Sequence, residues 1–206
     1  MKKLILILSL VITTTAIAQD AYSKGMQAGF SHWKEGNNTE ASNIFERISA
    51  AEMDNWLPHY YVAQVNTSAS FGEQDTEKLK QHLDKAQEFV DLAKAISPYN
   101  PEIIVLQAMV HTAWIAFDGA AYGMMLSGKV AVLYAKALQL APENPRVVFS
   151  KAEWDMGSAK YFGKDTAPYC ADVVRSLELF NTFKPESELH PNWGRKRAEE
   201  VLAACN

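Results

Sequence analysis

The run Gly123-Met124-Met125-Leu126-Ser127-Gly128-Lys129-Val130 comes within one residue of a phosphate-binding loop. Such a loop cradles phosphates with backbone N–H groups and holds magnesium through a Ser or Thr placed after the Lys. Val130 stands where that hydroxyl is needed, and no strand-like run precedes the motif. Nucleotide chemistry is therefore not expected, and the glycines read as the turn into a helix. The histidines, His32, His59, His82, His111 and His190, include no pair at metal-ligating spacing with an acidic partner. Neither H-E-x-x-H nor G-x-S-x-G occurs. His111 sits in an apolar run and reads as a hydrogen-bonded core residue. No catalytic residue, metal ligand or cofactor is expected, and binding without catalysis is the expected function.

Cys170 and Cys205 are the only cysteines, 35 residues apart. In an oxidising compartment they are expected to pair. A loop of that size adds up to about 4 kcal/mol in the chain-entropy model. Without a C-x-x-C spacing a redox-active pair is not expected. The start of the chain supports such a compartment. Met1-Lys2-Lys3 is positive, Leu4 to Ile12 is apolar, and Ala16-Ile17-Ala18 fits signal-peptidase cleavage before Gln19. Residues 1–18 are thus expected to be a cleavable signal peptide and 19–206 the mature domain, exported to the periplasm or beyond the cell.

Apolar residues make up 48% of the 206 and charged residues 21%, which excludes a disordered chain, a collagen and a coiled-coil rod. Removing Lys2 and Lys3 leaves 18 basic against 24 acidic residues, a net charge of −6. A nucleic-acid partner needs a basic face that displaces counterions, and none is present. The most apolar internal stretch, Ile103 to Phe117, is interrupted by Gln107, His111 and Thr112 and is too short to span a bilayer, so stable membrane insertion is not expected.

The chain repeats itself. Pro98-Tyr99-Asn100-Pro101 aligns with Pro142-Glu143-Asn144-Pro145, 44 residues on. Leu79, Leu83, Ala86, Val90 and Ala93 form one apolar stripe at helical spacing. The charges between Glu77 and Asp91 lie off it and read as a solvated face. Asn37 with Glu40 predicts a capping box. A final helix is expected to begin at His190-Pro191-Asn192-Trp193 and to cover the last open apolar surface.

These units resemble the tetratricopeptide repeat, a helix-turn-helix of 34 residues. The matching positions are Gly29, Gly36, Ala41 and Phe45; then Ala63, Ala86, Val90, Ala93 and Pro98. The third unit gives Ala108, Val130, Tyr134, Ala137 and Pro142, and the fourth Ala152, Val173, Leu177, Phe180 and Pro185. The steps 41→63, 86→108 and 130→152 are each 22 residues, as in that family. Within units two to four, the distance between the anchors of helices A and B grows by 9–11 residues. Each addition starts at an aromatic and a Gly: Phe71-Gly72, Phe117-Asp118-Gly119 and Phe162-Gly163. Longer helices or a rim of binding loops would both account for it.

The resemblance implies an all-α, short right-handed solenoid of about four hairpins with a capping helix. It implies a concave groove lined by helix A. Carried onto this sequence, the lining is Met26, Phe30, Trp33, Tyr60, Gln64, Thr67, Val105, Met109, Thr112, Phe149, Glu153 and Met156. That mostly apolar surface suits a protein or peptide partner. The expected function is a non-catalytic scaffold with an open groove. The alternative is a carrier for a small apolar molecule or glycan, in which the long A–B turns close over the groove.

Overall fold

The computed structural model describes residues 19–205, so the expected signal peptide, 1–18, lies outside the described residues. Helix starts are set by short polar side chains that accept from otherwise unpaired first-turn N–H groups. Asn55 accepts from the Leu57 amide ahead of α3, Trp56–Ser70. Asp75 accepts from Glu77 and Lys78 ahead of α4, Thr76–Ile96. The repeated Asn-Pro pairs serve α5, Pro101–Phe117, and α7, Pro145–Tyr161: Asn100 and Asn144 cap, and each Pro takes the first helical position. Asp118 caps α6, Gly119–Leu140. The others are α1 at 19–34, α2 at Asn38–Ala51, α8 at Cys170–Thr182 and α9 at Arg195–Ala203.

Three local expectations are corrected. Asn37 makes no side-chain cap for α2; its amide donates instead to Glu35, 3.3 Å away. Gly36, at φ +83°, has already turned the chain between the helices. Gly123 and Gly128 lie inside α6, not in a turn before it. The last helix starts at Arg195, because Gly194 takes φ +104° and breaks the helical path after Pro191. Residues 183–194 are non-helical.

Four antiparallel hairpins result: α1 with α2, α3 with α4, α5 with α6, and α7 with α8. They stack through α3 on α5 and α5 on α7, and α9 closes on α8. The fold is an all-α solenoid, and no strand occurs among the described residues. The growth between helix anchors is mostly helix: α5 and α6 are separated by Asp118 alone. In the fourth hairpin part of it is loop, with a short 3-10 turn at Ala167–Tyr169.

The repeat positions do the packing. Ala63, Ala86, Ala93, Ala108, Ala137 and Ala152 are buried where helices approach. Gly29 is the tightest: a Cβ there would lie 2.5 Å from Cε1 of buried Phe45. Gly29→Val is therefore expected to destabilise by about 1–3 kcal/mol through overpacking. Gly128→Ala, with nothing within 4 Å of its added Cβ, should instead gain up to about 1 kcal/mol of helix propensity. Urea titrations of both variants separate close packing from propensity.

The joint between the third and fourth hairpins is polar. Glu102 and Arg146, the residues after the two repeated prolines, form a buried bidentate pair: Arg146 Nε donates to Oε2 at 2.8 Å and Nη2 to Oε1 at 2.5 Å. Asn144 Nδ2 also donates to Glu102, at 2.6 Å. Phe183 lies over the guanidinium, 4.5 Å from it.

Candidate functional site

Two surfaces qualify: the concave face of the A helices and the edge formed by the A–B turns. The concave face is not open. Met26, Tyr60, Gln64, Thr67, Val105 and Phe149 are buried. Phe30, Trp33, Met109, Thr112, Glu153 and Met156 are half-buried. Thr67 and Thr112 turn their hydroxyls onto the carbonyls of Ala63 and Ala108 in their own helices.

The cover is the segment that returns from α8 to α9. Tyr61 donates its hydroxyl to the Leu189 carbonyl at 2.7 Å. The Trp193 indole N–H donates to the Tyr60 hydroxyl at 2.7 Å. The His190 ring meets Trp56 edge to face, with centroids 5.6 Å apart. Trp193 also packs against the cluster holding Val105, Ala108 and Val147. Arg197 of α9 donates to Glu153, one of the expected groove residues, at 2.7 Å. Six of the twelve expected lining residues are thus interior, and the segment covering this face has no signature of its own in the sequence. Tyr60, expected at the groove surface, belongs to the core. Burial beside Glu102 raises its hydroxyl well above the ordinary tyrosine range.

Cys170 and Cys205 are joined by a disulfide, as expected. It ties the first residue of α8 to the end of α9 across 35 residues.

The A–B edge is the opposite case. Met124 is 99% exposed, Tyr161 78%, Phe162 70% and Met125 57%. Phe71, also exposed, marks the same end of the second hairpin. Half-buried Trp114 supports this edge in the third hairpin, 4.9 Å from the Tyr122 ring and 6.3 Å from Phe117. Tyr161 and Phe162 meet edge to face at 5.1 Å. The acids of the edge are engaged with backbone N–H groups. Asp118 accepts from Ala121, Asp165 from Ala167, Asp75 from Glu77, and Glu73 from Gln74 and Asp75. Lys129, Lys160 and Lys164, close to these residues in sequence, are exposed. The aromatic-Gly starts of the three additions marked this edge in the sequence.

His82 and His111 are held by neighbouring amide side chains. Asn66 Nδ2 donates to the Val62 carbonyl and to Ser42, so its Oδ1 faces His82 Nδ1, 2.9 Å away, and that nitrogen carries the proton. Gln107 and Gln87 exchange reciprocal amide bonds, with His111 at 3.4 Å from Gln107. No group of three His, Cys, Asp or Glu residues at metal-holding distance occurs among the described residues. Burial lowers His59 below its ordinary 6.5, and burial is the leading cause at His82 and His111 too. The unfolded chain then takes up protons near 6.5 that the folded chain refuses. This contribution to stability is present above 6.5 and lost as pH falls below it. The urea midpoint should be flat from about pH 8 to 7 and decline from about pH 6.5 to 5. A flatter profile is expected of a His59→Leu/His82→Gln/His111→Gln chain.

No family model matches the sequence. No curated protein matches it either. Solved structures do. The HusA haemophore from Porphyromonas gingivalis superposes with a TM-score of 0.78 at 20% identity, covering 89% of this chain and 92% of that one. A thermophilic TPR protein from Thermus thermophilus superposes at 0.60 with 16% identity, over 87% of this chain and 80% of its own. At these identities the likeness is one of fold: a tetratricopeptide-like helical solenoid.

Proposed function

We propose that the mature chain is an exported, non-catalytic binding protein that carries a flat apolar molecule with acidic substituents, of the haem class, on its A–B edge. The observation that carries this reading is the exposure of Met124, Met125, Tyr161 and Phe162 on one edge, while the concave face is already covered. Clustered exposed apolar side chains mark binding surfaces. A porphyrin face gains from stacking on aromatic rings and from contact with thioethers. Its carboxylates would meet Lys129, Lys160 and Lys164, while the neighbouring acids are engaged with backbone amides. The likeness in fold to a haemophore supports the ligand class. The signal-like start and the disulfide support export. No helix among the described residues is long and apolar enough to cross a membrane.

A protein or peptide partner on the same edge is the second reading. The adaptable Met124-Met125 pair favours it.

Titration of the mature protein with haemin, followed by the Soret shift and by tryptophan quenching, tests the first reading. A Met124→Ser/Met125→Ser/Phe162→Ser chain should bind at least about tenfold more weakly, equivalent to about 1.4 kcal/mol. Its melting temperature should hold, because the three side chains are exposed. Equal affinity in both chains, or no binding by either, would remove the edge as a haem site.

A further inference from the structure

The segment that covers the concave face is built like a ligand. Its anchors are Leu189, His190, Pro191 and Trp193, with the His190 ring edge to face on Trp56. Leu189 packs on the first core cluster, Pro191 is buried, and Trp193 packs on the second. Asn192, between the last two, is exposed. Beneath lie Tyr60, Val105 and Phe149, equivalent positions of three successive A helices and all buried. Among the described residues, segment 184–193 is hydrogen-bonded to the A helices only through the Leu189 carbonyl and the Trp193 indole. Its own backbone bond is a local turn, His190 N–H to the Ser187 carbonyl. Such sparse anchoring belongs to the low end of local stability.

The next element, α9, is weakly held as well. It has nine residues, five of them charged, and only Ala198 is buried. A helix that short does not persist by itself. The disulfide from Cys205 to Cys170 supplies what packing does not, since it returns the far end of the segment to the start of α8.

We propose that residues 189–193 act as an intramolecular ligand of the concave groove and that the Cys170–Cys205 disulfide is its latch. Opening the latch frees the groove for a peptide of the same Leu-x-Pro-x-Trp pattern supplied in trans. The opening step is reduction by a dithiol. Two electrons and two protons pass to the bond, Cys170 and Cys205 become thiols, and the dithiol becomes its own disulfide. This proposal is independent of the haem reading, because it concerns the concave face and not the A–B edge.

A fluorescent peptide spanning residues 185–195 tests it by polarisation against three full-length mature chains: oxidised, dithiothreitol-reduced, and oxidised Trp193→Ala. A cis occupant lowers apparent affinity by the open fraction, so binding should be at least about tenfold tighter to the reduced and the Trp193→Ala chains than to the oxidised one. The same peptide with Trp193→Ala should bind none of them. Equal binding to oxidised and reduced chains, or no binding to reduced and variant chains whose circular dichroism remains helical, would overturn the proposal. Hydrogen exchange of the oxidised wild-type chain decides the case even if both altered chains unfold. Amides 188–190, 192 and 193 should exchange by local opening, well before those of α3 and α5. Exchange of both only by global unfolding would make the segment ordinary core and refute the latch.

Discussion

Glu102→Leu is expected to destabilise the chain by about 3–5 kcal/mol, the cost of leaving a buried charge without its partner. For a domain of this size that lowers the melting temperature by about 6–20 °C. The size of the effect follows from the site. Arg146 is 1% exposed, its Nη1 is already without a partner, and Nε and Nη2 have Glu102 as their carboxylate. Asn144 loses an acceptor in the same step. The double variant Glu102→Leu/Arg146→Met should recover most of the loss, because an apolar pair of similar volume replaces a buried ion pair at little cost. A single-variant loss below about 1 kcal/mol would mean that water reaches the guanidinium and that the joint between the third and fourth hairpins is looser than these contacts imply.

Trp193→Ala is expected to cost about 3 kcal/mol, at the lower end for truncating a large aromatic because the ring is only half-buried. Two effects combine: apolar area on the cluster around Val105 and Ala108 is lost, and the fully buried Tyr60 hydroxyl loses its indole donor. Trp193→Phe separates them. It keeps most of the packing and should cost about 1–2 kcal/mol, the price of a buried hydroxyl left without that partner. Equal losses for Phe and Ala would place nearly all of the energy in the hydrogen bond. No loss for either would mean that the concave face is stable uncovered.

The contrast between these two sites explains what could be read ahead of the fold. Hairpin order and the helix starts at Pro101 and Pro145 were legible because their signals are local. Asn-Pro recurs 44 residues apart, and Ala41, Ala86 and Val130 are each followed 22 residues on by an Ala. The disulfide was legible because only one pairing of two cysteines exists. The Glu102–Arg146 pair went unread, although its signal was present: opposite charges at equivalent repeat positions, directly after the two prolines. The covering segment had no such signal. An apolar helix face reads the same whether a partner or the chain's own tail covers it. Tyr60, Val105 and Phe149 therefore looked like open lining. Pro191 looked like a first helical residue, and the left-handed turn at Gly194 appears only once the segment must bend beside Phe180 and Phe149.

The edge and the concave face are separated most directly by a ligand footprint. Amide chemical shifts of the mature oxidised protein, recorded with and without haemin, would supply it. The expected perturbations centre on residues 114–125 and 160–164, with the helix-A positions around Tyr60, Val105 and Phe149 unchanged. A footprint on those three positions, with the edge silent, would contradict the edge assignment and return the ligand to the concave face.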